Sequence, residues 1–443
     1  MNVQASAAVL RLDDYWQPSG TKGPLRTDWL LVAILTAVFF TPTFRLPGDI
    51  PMRLDDFLVF SAGALLAIKF IFNFRIPRPD AVSVYLAFFM GTILLSSLIA
   101  PFQLRVPMSA KDYLDLLRPL KFLLVYWLVR EQDCRVALHT FLKTVSVSIG
   151  ILLAVAVLEM TMARLSIGGP LMTFFLQFCD QQTIEEPVSI LAQRPFATFN
   201  TPTHLGYVAA LGFFLSQALR SAMGRRLLAL VSFFALLISV TRTLLFSLPL
   251  LLMLQAITRK GSATEKFKRL AYSAVLVLLV VALAAVLLPM ISPVAAGYTQ
   301  SMIVSIATGN AQDEDSISTR LGNFVLVDYT WTNAPLFGVA TRSFLPWFVD
   351  SELILTFHRF GLVGIGMLIA FYPVGYRLAK RAGRHAAEFS RFAVMALAVT
   401  FLYGVTQGAL INTRIGVIPY IVLGILAAWS RQGTMNRAAL AGQ

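Results

Sequence analysis

The feature that most constrains this chain is an alternation. Apolar runs recur from Trp29 to Trp429, and the loops between them are Lys/Arg-rich and Lys/Arg-poor in turn. A helix needs about 20 predominantly apolar residues to cross a bilayer core, and many of these runs are long enough. Of the residues, 57% are hydrophobic and 14% charged, with a mean hydropathy of +0.71. That balance points to an all-α, polytopic membrane bundle. Helices are expected near 29–45, 57–74, 81–100, 114–129, 140–162, 202–219, 227–240, 243–257, 270–290, 354–375, 389–409 and 415–430, which makes about twelve spans. The chain reads as one integral-membrane domain, 1–443.

Orientation follows from charge. One set of loops holds Arg75/Arg78, Arg130/Arg135/Lys143, Arg220/Arg225/Arg226, Arg259/Lys260/Lys266/Lys268/Arg269 and Arg377/Lys380/Arg381/Arg384/Arg391. The positive-inside rule makes that set cytoplasmic and puts both termini there. The net charge of +14 therefore indicates anionic lipid rather than nucleic acid, at about 1 kcal/mol per basic residue near the surface. Cys134 and Cys179 fall on opposite sides and should not pair. Residues 1–27 lack the basic-then-apolar pattern of a cleaved signal, so the first helix is expected to stay in the mature protein. The fourth span carries Arg118, Pro119 and Lys121. A charge at mid-bilayer costs at least ~2.5 kcal/mol, so a half-buried or broken helix with its cations facing a cavity is expected there.

The opposite set of loops holds isolated arginines: Arg164, Arg194, Arg242, Arg320, Arg342 and Arg414. These have the character of anion ligands. Two outer segments, 163–201 and 291–353, are too long for simple connections, and long ordered loops usually serve function. Within the second, Ile317, Leu321, Phe324, Val325, Tyr329 and Trp331 suit an amphipathic helix at the membrane surface.

Four outward patches gather the chemistry. The first runs Arg194-Pro-Phe-Ala-Thr-Phe-Asn200-Thr-Pro-Thr-His204-Leu-Gly206-Tyr207, the second Ser239-Val-Thr-Arg242-Thr-Leu-Leu-Phe-Ser247. The third is Ser318-Thr-Arg320-Leu-Gly-Asn323, followed by Trp331, Pro335-Leu-Phe-Gly338 and Arg342. The fourth runs from Asp350-Ser-Glu352 through Thr356, His358-Arg359 and Gly361 to Gly364. Glu352, Thr356 and Arg359 recur at helical spacing. Each patch also has a plainer reading: a lone Arg is often a snorkelling anchor, Asp350 and Glu352 suit a helix cap, and Gly361, Gly364 and Gly366 suit close helix packing. His358 and Arg359 lie within an apolar span, where ionisable groups are functional by default and pairing with Glu352 is the rival. His204 fits a helix start better than a metal site. The histidines and cysteines show no zinc-ligand spacing, so no metal or cofactor is expected.

The chemistry that suits these parts is group transfer from a lipid diphosphate at the outer face. Guanidinium forks hold a departing diphosphate bidentately, and preorganised cations aimed at that charge are a major catalytic term. Asp350 or Glu352 would accept the proton of an acceptor hydroxyl.

Over roughly residues 190–370 the chain resembles the O-antigen ligase and Wzy-type polysaccharide polymerase superfamily. The resemblance rests on Arg194-Pro-Phe-Ala-Thr-Phe-Asn-Thr-Pro202, Thr241-Arg-Thr243, Arg320 with Pro335-Leu-Phe-Gly-Val339, and Asp350-Ser-Glu352 leading to Gly361-Leu-Val-Gly364. It implies a bacterial inner-membrane bundle of the metal-independent GT-C type, a periplasmic active site lined by arginines, and undecaprenyl-diphosphate-linked oligosaccharide as substrate. Arg194, Arg242 and Arg320 would bind the donor diphosphate. Arg342, His204, His358 and Arg359 join them as candidate substrate ligands. Family ligases place a histidine just before the helix that ends Gly-Leu-x-Gly, where this chain has Asp350-Ser351-Glu352. That departure favours a repeat-unit polymerase for an exopolysaccharide, capsule or O-antigen, with a chain-length regulator or export protein as a further partner. The alternatives are ligase-type transfer to lipid A core or protein and, from another class, a secondary transporter or lipid flippase.

Phosphatase and reporter fusions are expected to place both termini in the cytoplasm and residue 330 in the periplasm; a cytoplasmic signal at residue 330 would end the catalytic reading too. Arg242→Ala is expected to abolish turnover, and Arg242→Lys to restore it only partly, because Lys keeps the charge and loses the planar fork. Wild-type product from Arg242→Ala at normal protein levels would refute this.

Overall fold

The computed structural model describes residues 28–46, 50–73, 78–105, 117–165, 195–199, 201–258, 262–291, 322–340, 351–383, 386–410 and 414–441, with a few single positions between them, Asn412 included. Among these the protein is nearly all-α. Helix α1 spans Trp29–Phe40 and leads to a small antiparallel hairpin, β1 Thr43–Leu46 and β2 Ile50–Arg53. Helices α2 (Leu54–Phe72), α3 (Ala81–Leu104), α4 (Leu117–Arg130), α5 (Cys134–Arg164), α6 (Pro202–Leu215), α7 (Ala222–Ser239), α8 (Arg242–Thr258) and α9 (Ala263–Ile291) follow. Helix α10 (Phe324–Asn333) precedes α11 (Glu352–Ala382), α12 (Ala387–Thr406) and α13 (Val417–Ala441). Every helix expected from hydropathy has a counterpart. The amphipathic helix expected in the outer segment is α10, with Leu326 turned inward and Phe324, Val325 and Trp331 exposed; Ile317 and Leu321 lie outside the described residues.

Among the described residues five helices, α3, α5, α7, α11 and α12, are long and apolar enough to cross a membrane. Their outer faces, and those of neighbouring helices, expose Phe88, Val147, Leu230, Leu250 and Leu278. An apolar exterior of this extent suggests a membrane protein. The interior is built round α13. Every residue from Arg414 to Trp429 is buried, as expected of a helix apolar on all faces. Helices α4, α5, α11 and α12 pack against it, and Tyr420 stacks on Phe122 of α4 with ring centroids 4.7 Å apart.

The helices alternate in direction, so the bundle has two distinct ends. At one, the start of α3 meets the end of α4 through Arg130 and Asp80 (3.1 Å), and Cys134 at the start of α5 donates to Gln432. This is the end of the basic loops. At the other, the ends of α1, α5, α7 and α12 meet the starts of α2, α4, α6, α8, α11 and α13.

The fourth span corrects one expectation. From Leu117 to Arg130 helix α4 is continuous, with Pro119 in its first described turn. Lys121 does not face a cavity. It is 1% exposed, with Nζ 2.6 Å from Asp55 Oδ2 and 2.5 Å from Asp56 Oδ1, both on the first turn of α2. Arg53 closes the group, with Nε donating to Asp55 Oδ1 at 2.9 Å.

These charges also end α1. The last carbonyls of a helix have no partner within it, and here they are buried. Arg53 Nη2 donates to Ala37 O and Val38 O. Arg414 donates through Nε to Val38 O (2.8 Å) and through Nη2 to Phe39 O (2.9 Å), with its guanidinium over the Phe199 ring. Arg414, expected among the anion ligands, thus caps a helix and complements the negative end of its dipole.

Lys121→Met removes the cation that Asp55 and Asp56 share, leaving Asp55 on Arg53 and Asp56, among the described residues, with only the Arg53 N–H. It is expected to cost about 3–5 kcal/mol, measured by denaturant titration in detergent. Adding Asp56→Asn, which removes the carboxylate left without a cation while Asp55 stays on Arg53, should restore part of it. A loss of under about 1 kcal/mol in the single variant, the range of a surface ion pair, would show the cluster is not structural.

Candidate functional site

The sequence patches meet in pairs at the end opposite the basic loops. Within the first, Ala197 N–H donates to Glu159 Oε2 of α5 at 2.7 Å, while the Thr198 hydroxyl donates to Phe39 O. Pro202 then opens α6 and brings His204 into its first turn. The second patch is the two-residue turn between α7 and α8. Val240 has φ of +50°, a region β-branched side chains rarely adopt. Strain of about 1–3 kcal/mol persists only where its surroundings impose it, and it concentrates at functional sites. Ser239 Oγ and Thr241 Oγ1 lie 2.9 Å apart across the turn. The turn docks on Gly206, where a Cβ would overlap Thr241 and reach within 2.7 Å of Ser239 Oγ. His204 and Arg242 are therefore carried by two elements in direct contact.

The third and fourth patches interlock through the backbone. Helix α11 is broken at Gly361, with φ 63° and ψ −158°, a conformation essentially restricted to glycine. Residues 335–340 fill the break. Leu362 N donates to Pro335 O (2.8 Å) and Val363 N to Leu336 O (3.2 Å), while Val339 N and Ala340 N donate to His358 O and Arg359 O. Gly338, also at positive φ, leaves no room for a Cβ against Arg359. The expectation that Gly361 and Gly366 serve helix packing is corrected. Gly361 breaks the helix, and a Cβ at Gly366 would meet nothing.

The buried groups beside this break are specific. Thr330 Oγ1 of α10 donates to Leu326 O (2.7 Å) and lies 2.8 Å from His358 Nδ1. A hydroxyl has one hydrogen. With that spent on Leu326, Thr330 accepts from Nδ1–H, which leaves His358 Nε2 as an unprotonated lone pair. Nε2 is buried without a partner among the described residues, as is Thr356 Oγ1. Arg359 forks onto Ala340 O through Nε (3.3 Å) and Nη2 (3.0 Å).

The connection between α12 and α13 joins the two pairs. Asn412 Nδ2 lies 3.2 Å from His204 Nε2, and Ala409 N donates to Glu352 Oε2 at 3.2 Å. With the amide donating to Nε2, the His204 proton sits on Nδ1, which has no acceptor among the described residues. Glu352 is 1% exposed, and Ser351 rather than an acidic residue is the N-cap of α11. The phenols of Tyr85, Tyr207, Tyr372 and Tyr420 lie within range of the Glu352 charge.

Asp350, Arg194, Arg320 and Arg342 lie outside the described residues. Arg242 opens α8, but its side chain is likewise outside them. Sequence reasoning missed Glu159 and the Arg53–Asp55–Asp56 group. The available signal was charge at depth: an unpaired Lys121 in one span requires a carboxylate in another. Arg53 and Arg414 are close enough to act electrostatically on His204, so that cluster borders the site. No protein-family model and no curated protein sequence matches this chain.

Two outcomes follow. In ¹⁵N spectra of histidine-labelled protein, His358 should be a neutral Nδ1–H tautomer, and Thr330→Val should change its ring shifts; an Nε2–H signature would refute the assignment. Gly361→Ala, with no room and an unfavourable φ, should cost more than about 1–3 kcal/mol, read as loss of folded protein on size exclusion.

Proposed function

We propose that this chain is an integral-membrane glycosyltransferase of about twelve spans that polymerises undecaprenyl-diphosphate-linked oligosaccharide repeats, with its site on the periplasmic side of a bacterial inner membrane. The observation that carries the reading is the convergence just described: His204 beside the Arg242 turn, His358 and Arg359 beside Gly338, and Ala409 and Asn412 tying both to Glu352. Ionisable groups buried in membrane-spanning bundles mark function by default, and these gather at the end where lone arginines replace the basic loops.

The reaction asks for three things. A hydroxyl of the acceptor unit attacks the anomeric carbon of the donor; the new C–O bond forms as the bond to the diphosphate oxygen breaks. The bonding pair leaves with the lipid diphosphate, whose charge Arg194, Arg242, Arg320 and Arg342 stabilise. The hydroxyl proton passes to a base. Asp350 and Glu352 are the acidic candidates, and the free lone pair on His358 Nε2, oriented by Thr330, makes it a third. No side-chain metal ligand is called on in this scheme.

Two other readings remain in view. Ligase-type transfer to lipid A core or protein uses the same donor chemistry and differs in the acceptor. A flippase reading draws support from the break in α11, since broken helices bind substrate in transporters, where they come in pairs related by a repeat.

The test is donor consumption and product length with purified enzyme in lipid and a synthetic lipid-linked repeat. Loss of about 10²–10⁴-fold in Asp350→Asn or Glu352→Gln, with donor binding intact, is expected of the base. Loss confined to His358→Gln would move the base there. Donor moved across the bilayer without glycosidic bond formation would replace this function with the flippase.

A further inference from the structure

The other end of the bundle holds a cavity that the glycosyl-transfer reading does not use. It is a half-open cleft of about 710 Å³ between the end of α6, the start of α7, α8, α9 and the start of α12. Among the described residues four arginines line it, Arg220, Arg225, Arg269 and Arg391, against one carboxylate, Glu388. Binding pockets for small molecules run from about 300 to 1,000 Å³, so the size suits a headgroup or a sugar phosphate.

Its electrostatics favour an anion. Arg220 and Arg225 bracket the first turn of α7, whose N-cap Ser221 accepts from Gly224 N, so the positive end of an 18-residue helix dipole adds to theirs. Arg269 and Arg391 pair with Glu265 (3.3 Å) and Glu388 (2.7 Å) on their own helices. Such half-exposed pairs are worth little and exchange readily for a stronger anion. The walls are fixed by packing, and Gln217 and Gln255 bond amide to amide between the end of α6 and α8. The cavity is also apolar on one side, at Leu219, Leu252 and Ala256, and Tyr272 at its rim is 76% exposed. A tyrosine in that position suits a membrane interface.

We infer that this cavity is a binding site for a phosphate ester, with the phosphate held by the arginines at the basic end of the bundle. Guanidinium groups converging from separate helices suit the oxygens of a phosphate. Basic pockets between helices on the cytoplasmic side are a recurrent means of holding anionic headgroups. The ligand comes either from the surrounding leaflet, as a phospholipid headgroup, or from solution.

The experiment uses the full chain in phosphatidylcholine nanodiscs. Phosphatidylglycerol is titrated in one arm and glycerol 3-phosphate in the other, with native mass spectrometry and the thermal unfolding midpoint as readouts. Arg220→Gln with Arg225→Gln should weaken binding by on the order of tenfold or more, as expected for charge-assisted hydrogen bonds. Both arginines are exposed, so folding should survive. Arg226→Gln, whose residue does not line the cavity, should bind as wild type. Saturable binding confined to phosphatidylglycerol supports a lipid site, and equal binding of glycerol 3-phosphate supports a soluble ligand. The inference is overturned if neither binds above phosphatidylcholine, or if Arg226→Gln weakens binding as much as the double variant.

Discussion

An ammonium ion between two carboxylates, shut away from water, organises one end of this protein. Lys121 on α4 and the Asp55–Asp56 pair on α2 could not be buried separately, because an uncompensated charge in a low-dielectric interior costs several kcal/mol. Together they fix the two helices in register. Arg53, held by Asp55, is then aimed at the final carbonyls of α1, and Arg414 reaches the same carbonyls from the connection before α13. A short helix that would otherwise end with bare acceptors is finished by two guanidinium groups. Helix α13, buried from its start to Trp429, is anchored by the same contacts.

The candidate site borders that cluster. Arg414 stacks on Phe199, Phe199 lies edge-on to His204, and Asn412 lies beside His204 from the same connection that reaches Glu352 through Ala409. Rigidity in the ion cluster is thus transmitted to groups with unused hydrogen-bonding capacity. His204 Nδ1, His358 Nε2, Thr356 Oγ1 and Glu159 Oε1 are all buried without partners among the described residues. Native interiors leave few such atoms. Such atoms also occur elsewhere, Gln132 Oε1 at the basic end among them, but the four here include two imidazole nitrogens and a carboxylate oxygen, groups that a polar substrate or water completes.

The break in α11 gives the site its shape. Backbone groups at that depth must be satisfied, and residues 335–340 supply the partners that a continuous helix would have provided. Residues 335–340 are therefore not laid over the bundle but pinned into it by main-chain hydrogen bonds. His358 is held between α10 and the broken helix as a result.

Hydropathy period and loop charge were enough to read the helices from the chain, because a span is a local property: its length and composition are set by the thickness of apolar solvent it must match. The described parts of the four patches, His204, Pro335–Gly338 and Glu352–Gly364 among them, were visible for the same reason, as polar or glycine residues interrupting apolar runs. What the sequence could not say is which interruptions answer one another. Arg414 looked like an anion ligand until the end of α1 was found beneath it. Lys121 looked like a defect until Asp55 and Asp56 met it across 65 or so residues of chain. Gly361 looked like a packing residue until its φ of +63° and the docked Pro335–Ala340 segment showed a break. Composition fixes the cost of burying a charge or a bare carbonyl; only the tertiary arrangement decides which partner relieves it.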